Sequence, residues 1–275
     1  MQVIILGSGG PLPDPDRAGP ATLVRTAVGD LLVDCGRGVL MRAAAAGSGV
    51  GAFRAVLLTH LHSDHICDLN DVFTMRWVLS FAPSPLTVYG PPGTSELLRN
   101  TVAMLEPDIG WRIAHHDDLN WRPEAAVTEV ERGTVFEDAS VRVTAAPTDH
   151  APVRPTVGYR IEDGGRSVVV AGDTVPCAGL DELCRDADVL VHTVVRRDIV
   201  EALGVPRLND ILDYHSDIQG AAQTAQRNGV RTLVLTHLVP APGPGTEHEW
   251  IDQARAHFEG EVVLASDLSV VDLGG

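Results

Sequence analysis

Aromatic residues make up only 4% of the 275 positions, so Ala, Val and Leu must supply most of the core. Cysteine is sparse too. Cys35, Cys67, Cys177 and Cys184 form no C-x-x-C pair, which excludes a disulfide framework and leaves reduced, mostly buried thiols as the expectation. No apolar run reaches the length of about 18 residues that a membrane-spanning helix needs. The opening Met-Gln-Val-Ile-Ile-Leu-Gly lacks the basic region and apolar length of a secretory signal. A cytoplasmic protein with no membrane partner is therefore expected. Positive charge is also short, with 21 basic residues against 37 acidic ones and a net charge of −16. Bulk charge then gives no affinity for nucleic-acid phosphates, although a local basic patch remains compatible with it.

What is present is ordinary globular material, 44% apolar and long enough to bury a sizeable core. Short runs rich in β-branched residues predict strands at 2–6, 21–25, 30–34, 54–59, 86–89, 140–146, 156–161, 167–171, 187–192 and 231–236, with a closing pair over 261–272. Helical periodicity predicts helices at 37–47, 68–80, 94–105, 179–186, 217–228 and 247–258. Residues 111–135 read as two or three weak strands. No long linker or internal repeat divides the chain, so one α/β domain over residues 1–275 is expected.

The chemistry concentrates where apolar strands end. Thr59-His60-Leu61-His62-Ser63-Asp64-His65 puts three histidines and a carboxylate within six positions. Imidazole nitrogen and carboxylate oxygen are the ligands zinc favours. In an extended loop His60 and His62 share one side, and Asp64 and His65 can serve a second ion. His150, Asp173 and His237 follow three further strands in the same way, where a rigid scaffold can fix them.

These motifs resemble the metallo-β-lactamase superfamily, and within it the ribonuclease Z-like branch. The resemblance rests on Asp34 in Leu-Val-Asp-Cys-Gly, His60-x-His62-x-Asp64-His65, His150, Asp173 in Gly-Asp-Thr, His237 in Leu-Thr-His and the opening Gly7-Ser8-Gly9-Gly10 loop. It implies a four-layer αβ/βα sandwich with the site at one edge of the two sheets, and a homodimer. By matching position, one zinc takes His60, His62 and His150, the other takes Asp64, His65 and His237, and Asp173 bridges them. Manganese or iron can replace zinc in such a set. A water between the two ions would be acidified toward ~7 and attack the substrate, with Asp64 orienting it or accepting its proton. Asp34 would orient a ligand, and a strand-end turn residue reads equally well there. His215, in Tyr-His-Ser-Asp, matches the branch's catalytic histidine and could stabilise a developing oxyanion. A plain helix-start residue beside a Ser216 cap is the other reading.

Two departures from the branch shape the expected substrate. Its usual Glu after a strand-end histidine is absent from Val191-His192-Thr193-Val194. The tRNA-binding arm, normally inserted between the residues matching His150 and Asp173, has no room in the short interval present. With the acidic charge, this argues against tRNA and for a small-molecule phosphodiester or sulfate ester. A lactonase, β-lactamase-like or ring-cleaving acyl hydrolase is the alternative, and a degenerate metal-holding relative is the third reading. Trp77, Trp111 and Trp121 are either pocket walls or core.

Overall fold

The computed structural model describes residues 1–274. The first half of the chain forms β1 (Gln2–Gly7), β2 (Ala21–Thr26), β3 (Gly29–Val33), α1 (Val39–Ala45), β4 (Phe53–Leu57), α2 (Ser63–Ile66), α3 (Leu69–Val78), β5 (Leu86–Gly90), α4 (Thr94–His115) and β6 (Ala125–Glu129). The second half forms β7 (Gly133–Asp138), β8 (Val141–Pro147), β9 (Val157–Asp163), β10 (Arg166–Val170), α5 (Ala178–Cys184), β11 (Val189–Val195), α6 (Arg197–Ala202) and α7 (Pro206–Asn209). A 3-10 turn (Asp210–Asp213), α8 (Ile218–Arg227), β12 (Thr232–Val239), α9 (Glu247–Arg255), β13 (Glu261–Leu264) and β14 (Ser269–Asp272) complete it.

The strands build two seven-stranded sheets, ordered β14-β1-β2-β3-β4-β5-β6 and β13-β12-β11-β10-β9-β8-β7. In each, one half is antiparallel and the other parallel. Parallel neighbours need crossover connections, and these are the helices. Residues that alternate along a strand therefore bury on opposite sides. In β4, Ala55 and Leu57 face the other sheet while Val56 faces the helical layer. In β11, Val189 and Val191 face the other sheet and Leu190 packs against α5 and α8. Burial on both faces is why these strands read as unbroken apolar runs. The result is the four-layer αβ/βα sandwich. At one edge the sheets are stitched together, with Tyr159 Oη donating to the Leu58 carbonyl at 2.8 Å and Val157 N to the Thr59 carbonyl at 2.9 Å.

Two local expectations are corrected, and one left open is decided. Helix α4 does not stop at 105 but runs to His115 with Pro107 inside it, so 111–115 is not strand. Val102, Leu105, Ile109 and Ile113 fall at helical spacing and pack on Trp77, and that burial outweighs the hydrogen bond proline removes. The closing strands are not a pair, because β13 joins β12 in one sheet and β14 joins β1 in the other. The tryptophans line no site cavity. Trp77 and Trp121 form a satellite core, with Trp77 Nε1 donating to the Trp121 carbonyl, while Trp111 is 72% exposed. No helix among the described residues is long and apolar enough to cross a membrane.

Candidate metal centre

Ligand-type side chains gather at the carboxyl ends of β3, β4, β8, β10 and β12, the edge where α/β sheets place their sites. Two groups form there. His60, His62, His150 and Asp173 make one, and Asp64, His65 and His237 make the other. Within each group the donor atoms all lie within 4.8 Å of one another. Every ligand candidate from the sequence is thus brought to one place.

Hydrogen bonds on the far sides of the rings set which nitrogen faces inward. Asp34 accepts from Thr59 N through Oδ1 at 2.8 Å, and through Oδ2 from Thr59 Oγ1 at 2.8 Å. The single Thr59 hydroxyl proton is thereby used. Its 3.0 Å contact with His60 Nδ1 must run from the imidazole, leaving the lone pair on Nε2. His150 Nδ1 donates to the Tyr214 carbonyl at 2.7 Å, which also leaves its Nε2 unprotonated. These two Nε2 atoms stand 3.1 and 3.2 Å from His62 Nδ1. Three imidazoles converge where at most one N–H could sit between them. Burial lowers the pKa of all three, to about 4 at His150, so at neutral pH they offer lone pairs rather than charge.

Asp173 Oδ2 is the hub of both groups. It lies 3.7 Å from His60 Nε2, 3.9 Å from His150 Nε2, 3.4 Å from His65 Nε2 and 3.5 Å from His237 Nε2. Asp64 Oδ2 is 3.3 Å from His237 Nε2 and 3.7 Å from His65 Nε2. A tetrahedral ion with ligand bonds of about 2.0–2.1 Å has donor–donor edges of roughly 3.3–3.4 Å, the scale found here. Burial alone would favour a neutral Asp173, but His237 and His65 outweigh it and hold the carboxylate well below its usual range. His65 shows the converse. Burial opposes its charge, yet Asp173 and Asp34 raise its pKa well above the ordinary value. Asp173 Oδ1, His65 Nε2 and His237 Nδ1 are buried with no hydrogen-bond partner, a cost that bound cations would relieve directly at Asp173 and His65. The donor set fits divalent metal.

The backbone is bent to achieve this. Asp34 and His237 adopt left-handed φ values of 63° and 48°, strained for residues with a Cβ and typical of functional positions. Gly172, just before Asp173, has φ 65°, and a Cβ there would sit 2.7 Å from Thr59 Cβ. Asp34 therefore acts as the anchor that also accepts from His65 Nδ1 at 2.8 Å, beyond any role as a turn residue.

His215 belongs to the same cluster. Its Nε2 is 3.3 Å from Asp173 Oδ2, and its Nδ1 donates to the Ile211 carbonyl at 2.9 Å. Burial opposes its charged form, but the bond to Asp173 prevails and raises its pKa. The helix-start capping expected of Ser216 falls instead to Asp217, whose Oδ1 accepts from Gly220 N. The Ser216 hydroxyl donates to the Thr174 carbonyl. Thr193, standing where the branch has Glu, donates to the Gly172 carbonyl, and His192 is a buried strand residue that donates to the Thr193 carbonyl. Sequence reasoning missed the roles of Thr59 and of the Tyr214 and Ile211 carbonyls. Thr59 was visible at the strand end, whereas carbonyls leave no mark on sequence.

A family model described as the beta-lactamase superfamily domain matches residues 30–238. The chain is 53% identical to a ribonuclease Z of Mycobacterium bovis over 275 residues, covering 99% of this chain and 98% of the relative. Human tRNase Z, short form, superposes with a TM-score of 0.74 over all of both chains at 24% identity. A metallo-β-lactamase fold protein from Bacillus subtilis gives 0.76 over 98% of each at 23% identity. The expectation of a small phosphodiester or sulfate ester substrate, argued against tRNA, is overturned by the mycobacterial relative. It is named for RNA cleavage and matches end to end, so the short interval between His150 and Asp173 does not separate this chain from ribonucleases. The net charge misled because it averages over a surface of which the site is a small part. The chain belongs to the beta-lactamase superfamily and, within it, to the ribonuclease Z-like metal-dependent hydrolases.

Proposed function

We propose that this chain is a two-zinc endoribonuclease that hydrolyses RNA phosphodiesters, with tRNA as its substrate class, and that its 275 residues act as one domain. The observation that carries the reading is the end-to-end 53% identity with a protein named ribonuclease Z. The core shared between the two sheets supports the single domain. His60, His62 and His150 would hold one ion and Asp64, His65 and His237 the other, with the Asp173 carboxylate beside both groups. When bound, the ions supply an activated water and polarise the scissile phosphoryl oxygen. Asp64 turns Oδ2 toward His65 and His237, which leaves Oδ1 to accept the proton of the attacking water. His215 Nε2, kept protonated beside Asp173, gives its proton to the leaving oxygen. Ile211 fixes the ring by accepting from Nδ1, the orienting task a carboxylate would otherwise perform. The assay is cleavage of an RNA by zinc-loaded protein, with metal-stripped protein as control. Loss of cleavage on stripping and recovery on reloading is the expected result, and cleavage that survives stripping contradicts it.

Metal loading should release protons. His65, with its raised pKa, is protonated at neutral pH without metal, and a ligand must give up that proton. Calorimetric titration of zinc into stripped protein, in buffers of different ionisation enthalpy, should show release on the order of one proton per chain. A binding heat independent of buffer contradicts the assignment of His65 as a ligand.

A further inference from the structure

The chain contains no lysine, and all 21 of its basic residues are arginine. Most are spent on the protein itself, pairing with carboxylates as Arg42 does with Asp267, Arg54 with Asp138 and Arg227 with Asp181. Arg76 donates to the Val50 and Ser84 carbonyls, and Arg17 to Ser8 and the Ala265 carbonyl. Arg185 and Arg255 end α5 and α9, the crossovers that lead to the amino ends of β11 and β13, at the edge opposite the candidate ligands. Three remain. Arg37, Arg154 and Arg207 are exposed, and among the described residues no carboxylate lies within 4.0 Å of any of them.

Arg37 stands on the loop that carries Asp34, Arg154 on the loop that carries the candidate ligand His150, and Arg207 on the short α7 in the connection from β11 to α8 that carries His215. Arg37 follows Asp34 in a loop tied to the ligand loop, with Cys35 N donating to the His65 carbonyl and Gly38 N to Asp68 Oδ2. That side belongs to the Asp64, His65 and His237 group. Arg154 ends the loop after β8, where Val153 N donates to the His150 carbonyl. It lines an open cavity of about 540 Å³ with Thr148, Asp149, Thr156 and Glu131, none of them paired to it. That side belongs to the His60, His62 and His150 group. Arg207 lies in α7, just before the turn whose Ile211 carbonyl holds His215. On a surface with net charge −16, unneutralised cations around one edge make that edge the place where a polyanion can approach.

We propose that Arg37, Arg154 and Arg207 form a phosphate-binding rim that seats the RNA backbone on three sides of the metal centre. The inference rests on the ribonuclease reading and deepens it. It supplies, from residues of the core fold, backbone contacts that need no inserted arm. Arginine suits the task, because its guanidinium meets phosphate oxygens in a two-pronged contact and keeps its charge at any relevant pH.

The test is equilibrium binding of a fluorescently labelled single-stranded RNA to zinc-loaded protein between about 50 and 200 mM salt, which does not depend on cleavage. Neutralising about 0.7 counterions per phosphate contact, three arginines give a slope of log affinity against log salt near −2. The triple variant Arg37→Gln, Arg154→Gln, Arg207→Gln should lose most of that slope and bind at least about 10-fold more weakly at low salt. Its zinc content and melting temperature should not change, since none of the three makes an ion pair. Arg255→Gln, on the far helix, should keep the full slope. A triple variant with the parental slope overturns the rim. A parent that binds RNA with this slope but never cuts it overturns the ribonuclease reading and leaves the rim standing.

Discussion

Replacing Asp173 by Ala abolishes hydrolysis, with a loss of at least about 10⁴-fold, because acid–base and electrostatic contributions fail together. The reason lies in a single atom. Asp173 Oδ2 stands 3.3–3.9 Å from the Nε2 atoms of His60, His65, His150, His215 and His237. Removing it takes an acceptor from both metal groups and the partner from His215. Elemental analysis should show less than the parental metal content, and circular dichroism should show the fold retained. Asp173→Asn keeps the shape but not the charge, and should also fail, since the negative charge that both groups share at Asp173, and that favours the charged forms of His65 and His215, is then gone. Asp34→Ala should be milder, weakening metal binding by about 10–100-fold, because Asp34 touches Thr59 and His65 but belongs to neither donor group. An Asp173→Ala protein with parental metal content and turnover contradicts the hub.

His215→Ala should behave differently. It should lower kcat by about 10²–10⁴-fold while leaving metal content unchanged, since His215 meets the centre through Asp173 and is not itself placed as a ligand. The pH profile carries the sharper signature. A general acid must be protonated, and Asp173 raises the pKa of His215 above its ordinary 6.5. Activity should therefore persist above that pH and fall as pH rises through the raised value. The variant should lose that alkaline limb. Metal loss, or an unchanged alkaline limb in His215→Ala, assigns the residue to structure instead. Glu at position 193 is not required for this account, because the Ile211 carbonyl already fixes the ring.

Much of this architecture was legible before any coordinates. Strands such as β4 and β11 bury both faces, and two-sided burial leaves an apolar run that cannot be mistaken for a surface segment. The ligands were legible because each follows such a run and because His, Asp and their spacing are scarce, specific signals. What escaped depends on distant partners. The chain past residue 105 does not read as helix until Trp77 and Ile109 are seen packed together. The separation of β13 and β14 into different sheets is decided by β12 and β1, far away in sequence. The substrate was misread for the same reason. Net charge sums over the whole chain, whereas the arginines that matter are those left without carboxylates, and pairing is a property of the fold.

The central claim is that this edge cuts RNA. The most direct measurement incubates zinc-loaded protein with a tRNA transcript extended at both ends, and maps the products. Discrete, metal-dependent cleavage at a phosphodiester, abolished in Asp173→Ala, is the predicted result. Intact RNA in a preparation that holds two metals per chain and turns over a small chromogenic ester would contradict it.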